Sequence, residues 1–358
     1  MGRYIAKRIA LLIPTVFTII LINFTLVQFV PGGPIEQIIS SLTVGNISST
    51  SNITSSGNVG ADPSATEALA NDYGVDPELL KDLERQFGFD KPIHERFLNM
   101  LTGYAVFDFG TSYFQDIPVI ELILERLPVS ISLGLWSLLI IYGISIPLGI
   151  QKAIRDGTTF DITTSSLIFV GYAVPGFLFA ILLIVLFAGG GYLEIFPLRG
   201  LTSENWMELS WADRVIDYLW HLCLPLIALT IGGFATLTML TKNSFLEELG
   251  KQFVLTARAK GLSEKKVLYG HVFRNAMLIV IAGFPAAFVG ILFTGSLLIE
   301  IIFSIDGMGL LTYEAIIKRD YPIMFGNVYI LTLIGLFMHL VSDLTYVLVD
   351  PRIDFETR

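Results

Sequence analysis

The chain has 358 residues, of which 53% are hydrophobic and only 15% are charged, and its formal net charge is −9. Soluble domains carry roughly 25% charged residues, so this composition and a mean hydropathy of +0.68 exclude an ordinary soluble domain and indicate a membrane protein. The acidic balance gives no reason to expect nucleic acid as a partner.

Membrane-length apolar stretches recur along the sequence. A hydrocarbon core about 30 Å thick needs roughly 20 apolar residues per helix. Six stretches are long enough: about 9–30, 129–150, 167–187, 222–240, 276–299 and 323–349. Several contain proline, which neighbouring helices tolerate inside a membrane. The sequence therefore predicts an all-α polytopic membrane protein with six transmembrane helices, surrounded by membrane lipid.

The first span is followed by a long polar insertion. Residues 1–31 form a short tip and a retained first helix, because the apolar run is too long for a signal peptide and ends without a small-x-small cleavage site. Residues 32–127 form the insertion, whose part from about 40 to 66 is rich in Ser, Thr, Asn and Gly and is typical of a flexible linker. A helix is expected from Asp76 to Gly88 and a second after Pro92, with Ile93 and Tyr104 on its apolar face.

Basic residues are distributed unevenly between the predicted loops. With the N-terminus inside, the inner segments hold 14 of the 23 Lys and Arg in about 65 residues, and the outer segments hold 9 in about 150. This bias predicts cytoplasmic N- and C-termini, a periplasmic insertion, a transmembrane core at 128–349 and a cytoplasmic tail at 350–358.

The inner loop 242–275 holds seven of these basic residues and is patterned like structure. Phe253, Ala257 and Lys260 share one face of a short helix, which Gly261 ends. Ser263 then lies where a second helix would have its N-cap. A helix–glycine–helix unit between two spans favours a docking element, although an ordinary charged connector remains the alternative.

The outer loop before the fourth span ends in another helix signal. Ser210 and Asp213 form a capping box, and Trp206, Trp211 and Trp220 lie close to it in the sequence. This pattern predicts a helix at the membrane interface with an aromatic belt.

Residues suited to catalysis are sparse. The sequence has no G-x-x-x-x-G-K-[ST] motif for nucleotide phosphates, and its four histidines and single Cys223 form no metal-ligand pattern. We therefore expect no enzyme activity, metal site or cofactor in this chain itself. One polar stripe remains on the last span, formed by His339, Asp343, Tyr346 and Asp350. It indicates either interhelical packing or a proton relay or substrate contact.

The loop 252–261 and the segment His271–Ala276 together resemble the "EAA" coupling loop of ABC-importer permeases, in the variant of the dipeptide/oligopeptide family. Leu255 and Thr256 stand where the general motif has Glu-Ala. Arg274 and Asn275 replace a proline-containing end, and both departures are usual in peptide permeases. Further similar segments lie across the chain: 89–92, 107–110, 175–177, 300–309, 320–322 and 350–353.

This resemblance implies the fold, site residues and partners. It implies a type I ABC-importer permease fold in the inner membrane, with a second homologous permease, two ATP-binding subunits and a periplasmic peptide-binding protein as partners. ATP would be bound by those partners. The residues implied in ATPase coupling are Leu255, Thr256, Ala257, Arg258 and Gly261, and His339 and Asp343 are candidates for the translocation path. The cargo would be peptides, with microcin C as a candidate, while a permease for nickel or other metal complexes and a secondary transporter remain alternatives.

Overall fold

The computed structural model describes residues 2–29, 90–190, 192–290 and 297–349, which are largely helical. The chain divides into two compact units, one of Met1–Arg126 with Leu311–Leu333 and the other of Leu127–Leu310 with Ile334–Arg358. The predicted linker at 40–66, the helix expected from Asp76 to Gly88 and the tail at 350–358 lie outside the described residues.

The all-α prediction is confirmed for the described residues. In chain order, the α-helices of the described residues are α1 (Gly2–Phe29), α2 (Ile93–Ala105), α3 (Val119–Ile154), α4 (Thr159–Ala173), α5 (Gly176–Phe187), α6 (Trp211–Leu249), α7 (Gln252–Ala259), α8 (Glu264–Val267), α9 (Phe273–Ala282), α10 (Phe284–Gly290), α11 (Leu297–Phe303), α12 (Met308–Lys318) and α13 (Tyr321–Val349). A 3₁₀ turn covers Trp206–Glu208, and a π-helical turn covers Leu268–Val272.

Within the described residues, five helical segments are long and apolar enough to cross a membrane, and a bent pair makes up to six. The bent pair is α4 and α5, which meet at 92°, so the apolar stretch 167–187 is not one continuous helix. The break lies at Pro175, whose missing N–H and ring bulk push the preceding Val174 out of the helical region, to ψ 120°. The count of six spans depends on whether this bent pair crosses as one unit.

The helices α3 and α6 are much longer than the apolar stretches that predicted them. They have 36 and 39 residues, which at about 1.5 Å per residue gives lengths of roughly 54 and 58 Å, well beyond a hydrocarbon core of about 30 Å. Ser210 takes the predicted N-cap position of α6, because the backbone N–H of Asp213 donates to Ser210 Oγ, while the Asp213 carboxylate accepts from Ser210 Oγ. Hydropathy marks only the part of each helix that suits the membrane interior.

Apolar side chains join the successive helices of the second unit. One buried cluster includes Phe245 of α6, Val254 of α7, Val272 of the π turn and Ala276 of α9, each 0% exposed. The segment after α6 is therefore packed onto the helices that precede and follow it. The predicted docking loop is a folded part of its unit.

Aromatic rings form the centre of the first unit. The ring of Tyr104 on α2 lies edge-on to Phe109, at 4.9 Å between centroids, and to Tyr329 on α13, at 5.2 Å. Phe97, also on α2, meets Phe17 of α1 edge-on at 6.0 Å. The helix predicted after Pro92 is therefore present, and its buried face is aromatic.

Candidate docking and coupling site

Gly261 ends α7 in the way that its sequence position predicted. Its φ is +81°, a left-handed conformation that other L-residues adopt at a cost. The N–H of Gly261 donates to Arg258 O at 2.9 Å, and the N–H of Leu262 donates to Ala257 O at 3.3 Å. These two bonds form a Schellman motif, so the chain reverses direction at a defined angle between α7 and α8.

The two faces of α7 have different surroundings. Val254 is 0% exposed and Ala257 is 6% exposed, so this face packs into the cluster around Phe245. The opposite face carries Leu255, which is 60% exposed. The Thr256 side chain is also exposed, and its hydroxyl donates to Gln252 O at 3.0 Å within the helix. An apolar side chain displayed on a firmly packed short helix is suited to contact with another protein.

A two-bond ion pair braces the turn between α7 and α8. Arg258 donates through Nε to Glu264 Oε1 at 2.9 Å and through Nη2 to Glu264 Oε2 at 3.0 Å. The hydrogen bonds to Glu264 raise the pKa of the Arg258 guanidinium above its usual range. Ser263 takes the predicted N-cap position, with ψ 147°, but its side chain makes no capping bond. The ion pair therefore adds a surface contact across the turn that the sequence did not predict.

Polar contacts hold together the helices on either side of α7 and α8. Glu248, near the end of α6, accepts hydrogen bonds from Lys251 Nζ and from Asn275 Nδ2. The bond to Glu248 raises the pKa of Lys251. One turn earlier, Ser244 Oγ donates to Ala276 O at 2.7 Å. These contacts connect the end of α6 with the start of α9, on either side of α7 and α8.

A buried charge cluster lies at the same ends of the helices. Lys152 of α3 is 0% exposed, and its Nζ lies 2.9 Å from Asp161 Oδ1 of α4. Lys242 of α6 lies 2.7 Å from the other carboxylate oxygen of Asp161 and 2.8 Å from Asp156 Oδ1. Lys152 also donates to the hydroxyl of Ser165 at 2.6 Å. One carboxylate thus joins three helices. It lies next to the segment formed by α7, Gly261 and α8, which we call the docking unit, and the sequence did not predict it.

A second buried carboxylate lies far from the docking unit along α3. Glu300 of α11 is 0% exposed; its Oε1 accepts from Ser130 Oγ at 2.8 Å, and its Oε2 accepts from Leu310 N at 3.0 Å. Ser130 Oγ in turn accepts from Met308 N at 2.8 Å. Ser130 and Lys152 are 22 residues apart on α3, or about 33 Å along a helix, so this cluster and the Lys152 cluster occupy opposite ends of the unit.

The predicted pathway residues His339 and Asp343 both lie on α13. His339 is exposed and Asp343 is half-buried. The described contacts include no hydrogen bond or ion pair between them. The structure places them one turn apart on the same helix, and their role in transport stays a prediction.

Metal-ligating side chains do not cluster within the described residues, where no group of three or more His, Cys, Asp or Glu could hold an ion. Cys223 is a half-buried free thiol on α6. The features that stand out in the second unit are therefore the docking unit and the two buried carboxylate clusters.

Residues 145–355 match the family described as the binding-protein-dependent transport system inner membrane component, and the chain belongs to this family. It is a multi-pass permease component of the inner membrane, and its family consists of transport components rather than enzymes. The peptidoglycan transport system permease protein YejB of Agrobacterium fabrum (strain C58 / ATCC 33970) is 58% identical over the full length of both chains. The inner membrane ABC transporter permease protein YejB of Escherichia coli O157:H7 is 56% identical, again over both full lengths.

More distant proteins also match the chain. The dipeptide transport system permease protein DppB of Escherichia coli (strain K12) is 30% identical over 99% of each chain. A chain from the inward-facing structure of the MetNI methionine ABC transporter has a TM-score of 0.50 and 14% identity, covering 64% of this chain and 97% of that one. This last likeness shows the fold alone, which is that of an ABC-importer permease.

Proposed function

We propose that this chain is one of two permease subunits of a peptide importer and that α7 receives the movement of a separate ATP-hydrolysing subunit. The observation that supports this most is the α7–Gly261–α8 unit, which is buried on one face, displays Leu255 on the other and is braced by Arg258 and Glu264. Since the sequence has no P-loop motif, the proposal assigns ATP to two partner subunits. No cofactor is assigned to this chain.

The packing of α7 suits it to transmit force. Val254 and Ala257 join the buried cluster that contains Phe245 of α6 and Ala276 of α9. A packed cluster of this kind moves as a body rather than deforming continuously. A push on α7 would therefore displace α6 and α9 together, and closure of the ATPase subunits would switch the path between outward-open and inward-open states.

The proposed cargo is a peptide or a peptide-like compound. The relatives described above are named for transport of peptidoglycan and dipeptides, which share the amide backbone as a common chemical element. Microcin C, which the sequence resemblance pointed to, is included in this proposal. A metal-complex importer is not favoured, because those relatives are named for other cargo.

The proposed orientation follows from the distribution of basic residues. The loop 242–275, with its seven Lys and Arg, and both termini would be cytoplasmic under the positive-inside rule. The ATPase subunits would then meet α7 in the cytoplasm. The insertion at 32–127 and the other outer loops would face a periplasmic peptide-binding protein, and the core at 128–349 would form half of the translocation path.

The docking role can be tested by changing the displayed leucine. Leu255→Asp places a charge on the exposed face of α7 without altering its buried face, so the ATPase subunits should co-purify poorly and ATP-dependent peptide uptake should fall at least tenfold, which corresponds to about 1.4 kcal/mol. For assembly, Leu193→Asp is a matched control, because Leu193 is 57% exposed and lies in the loop at the other end of α6, so the ATPase subunits should co-purify normally with this variant. Normal assembly and uptake with Leu255→Asp would refute the docking role of α7.

A further inference from the structure

An open groove lies at the N-terminal end of α6. Its volume is about 530 Å³, and its walls come from α3, α6 and the 3₁₀ turn before α6. Trp136 lies on α3, Trp206 on the turn, and Trp211 and Leu219 on α6. Three of the four tryptophans in the chain therefore line one groove, and Tyr218, at its edge, is hydrogen-bonded to Ser132 of α3.

One cation, Arg214, lies on the wall of this groove. Its Nε donates to Trp206 O at 3.0 Å, its Nη2 donates to Met207 O at 2.7 Å, and its guanidinium lies 6.0 Å from the Trp206 ring centre. Within the described residues, no carboxylate pairs with Arg214. Two nearby acids have other partners, since Asp213 accepts from Ser210 and Asp217 accepts from Ser203. The guanidinium keeps N–H donors for a ligand.

Both helices that form the groove are long and apolar enough to cross a membrane. Tryptophan is enriched where a membrane meets water, and Trp211 is 82% exposed. An apolar groove between such helices, with an arginine that makes no ion pair among the described residues, matches a ligand with an apolar tail and an anionic head.

We propose that this groove binds an anionic phospholipid. The phosphate would lie on the guanidinium of Arg214, and an acyl chain would lie along Trp136 and Leu219. Lipid is favoured over a protein partner because the groove pairs an apolar wall with Arg214, whose guanidinium makes no ion pair with the described residues, and opens between two membrane-spanning helices. This assignment does not depend on which cargo the permease carries or on which membrane face holds the groove.

The tryptophans provide the measurement. The full-length chain is reconstituted in nanodiscs of phosphatidylcholine with increasing amounts of dibrominated phosphatidylglycerol, and quenching of tryptophan fluorescence is compared with that by dibrominated phosphatidylcholine. Half-maximal quenching should occur at an about fivefold lower fraction of the anionic brominated lipid than of brominated phosphatidylcholine. This ratio corresponds to the roughly 1 kcal/mol contributed by one cation near an anionic lipid. Arg214→Gln should remove this preference.

Two variants separate a bound lipid from other causes. Arg199→Gln removes another exposed arginine of the same outer loop and should keep the preference, whereas an equal loss in both variants would mean general surface attraction and overturn the site. Arg214→Lys keeps the charge but not both backbone bonds to the 3₁₀ turn, and it should retain most of the preference. Loss with Lys as well as with Gln would assign Arg214 a purely structural role and refute the proposal.

Two further outcomes would also overturn the proposal. If excess inorganic phosphate abolishes the preference, the site binds small anions rather than lipid. If the brominated lipid quenches the isolated chain but cross-linking shows Val215 covered by another subunit in the assembled transporter, the groove is a protein interface. Cross-linking of a photoreactive residue at Val215 to phospholipid in the assembled transporter is the expected result.

Discussion

Gly307 lies directly against the carboxylate of Glu300: a Cβ atom added to Gly307 would be 2.5 Å from Glu300 Cδ. Gly309 is similarly close, since its added Cβ would be 2.7 Å from the Cα of Leu297 and 2.8 Å from Glu300 Oε2. The chain from the end of α11 into the first turn of α12 can therefore wrap around the buried carboxylate only if both positions lack a side chain. Glu300, Gly307 and Gly309 form one packed unit at this end of α11.

Gly307→Ala should destabilise the protein by about 1–3 kcal/mol, the usual cost of overpacking, seen as a lower midpoint of thermal unfolding in detergent. The matched control is Gly232→Ala in α6, where an added Cβ meets nothing within 4 Å. In the double variant Glu300→Ala/Gly307→Ala the clash is relieved, so its cost should be smaller than the sum of the single costs. Strict additivity would show that the two residues do not act as a unit.

The charge cluster at the other end of α3 gives a second prediction. Asp161→Ala leaves the buried Lys152 without its carboxylate partner and beside Lys242, and removing one partner of a buried pair typically costs about 3–5 kcal/mol. The variant should accumulate poorly in membranes. Asp156→Ala is the control, because Asp156 also contacts Lys242 but its side chain is 53% exposed, so it should cost no more than about 1 kcal/mol. The amount of each variant in the membrane is measured by immunoblot. Equal amounts of the two variants would contradict a stabilising role for the buried cluster.

The contrast between the docking unit and these clusters shows what the sequence could predict. The helix, the glycine and the second helix are specified by neighbouring residues, so periodicity and Gly261 were enough to predict them. The contact of Lys242 with Asp161 joins residues 81 positions apart, and that of Ser130 with Glu300 joins residues 170 apart. Such pairs depend on how the helices pack, which local patterns do not determine. The break at Pro175 had a visible local signal in the Val174-Pro175 pair.

A third prediction concerns Gly261. Gly261→Glu forces a β-carbon and a charge into a left-handed conformation that costs about 1–2 kcal/mol for ordinary residues, so α7 should be misplaced and ATP-dependent peptide uptake abolished while the protein still inserts. Gly261→Asn is the control, since asparagine visits this conformation readily, and it should keep most uptake. Peptide uptake is measured with equal amounts of each variant in the membrane. Wild-type transport by the glutamate variant would contradict the proposed coupling.

The proposed orientation is tested by labelling single cysteines in a Cys223→Ser background. Ser55→Cys, in the predicted periplasmic insertion and outside the described residues, should react with an impermeant maleimide in intact spheroplasts. Lys265→Cys, on the exposed side of α8, should react only after the membrane is opened. Labelling of both from the same side would overturn the orientation drawn from the basic residues.

Asp343 provides the last prediction. It is half-buried on α13 and lies one turn after His339 on the same helix. The Asp343→Asn side chain has nearly the same shape and can still hydrogen-bond, but it has lost the charge. If Asp343 serves in packing, uptake should change by no more than about threefold, since interhelical hydrogen bonds in membranes contribute about 0.6 kcal/mol on average. Peptide uptake and thermal unfolding of the assembled transporter should be measured together. A loss of uptake above about tenfold, or roughly 1.4 kcal/mol, with an unchanged unfolding midpoint would instead show that the charge of Asp343 acts in transport.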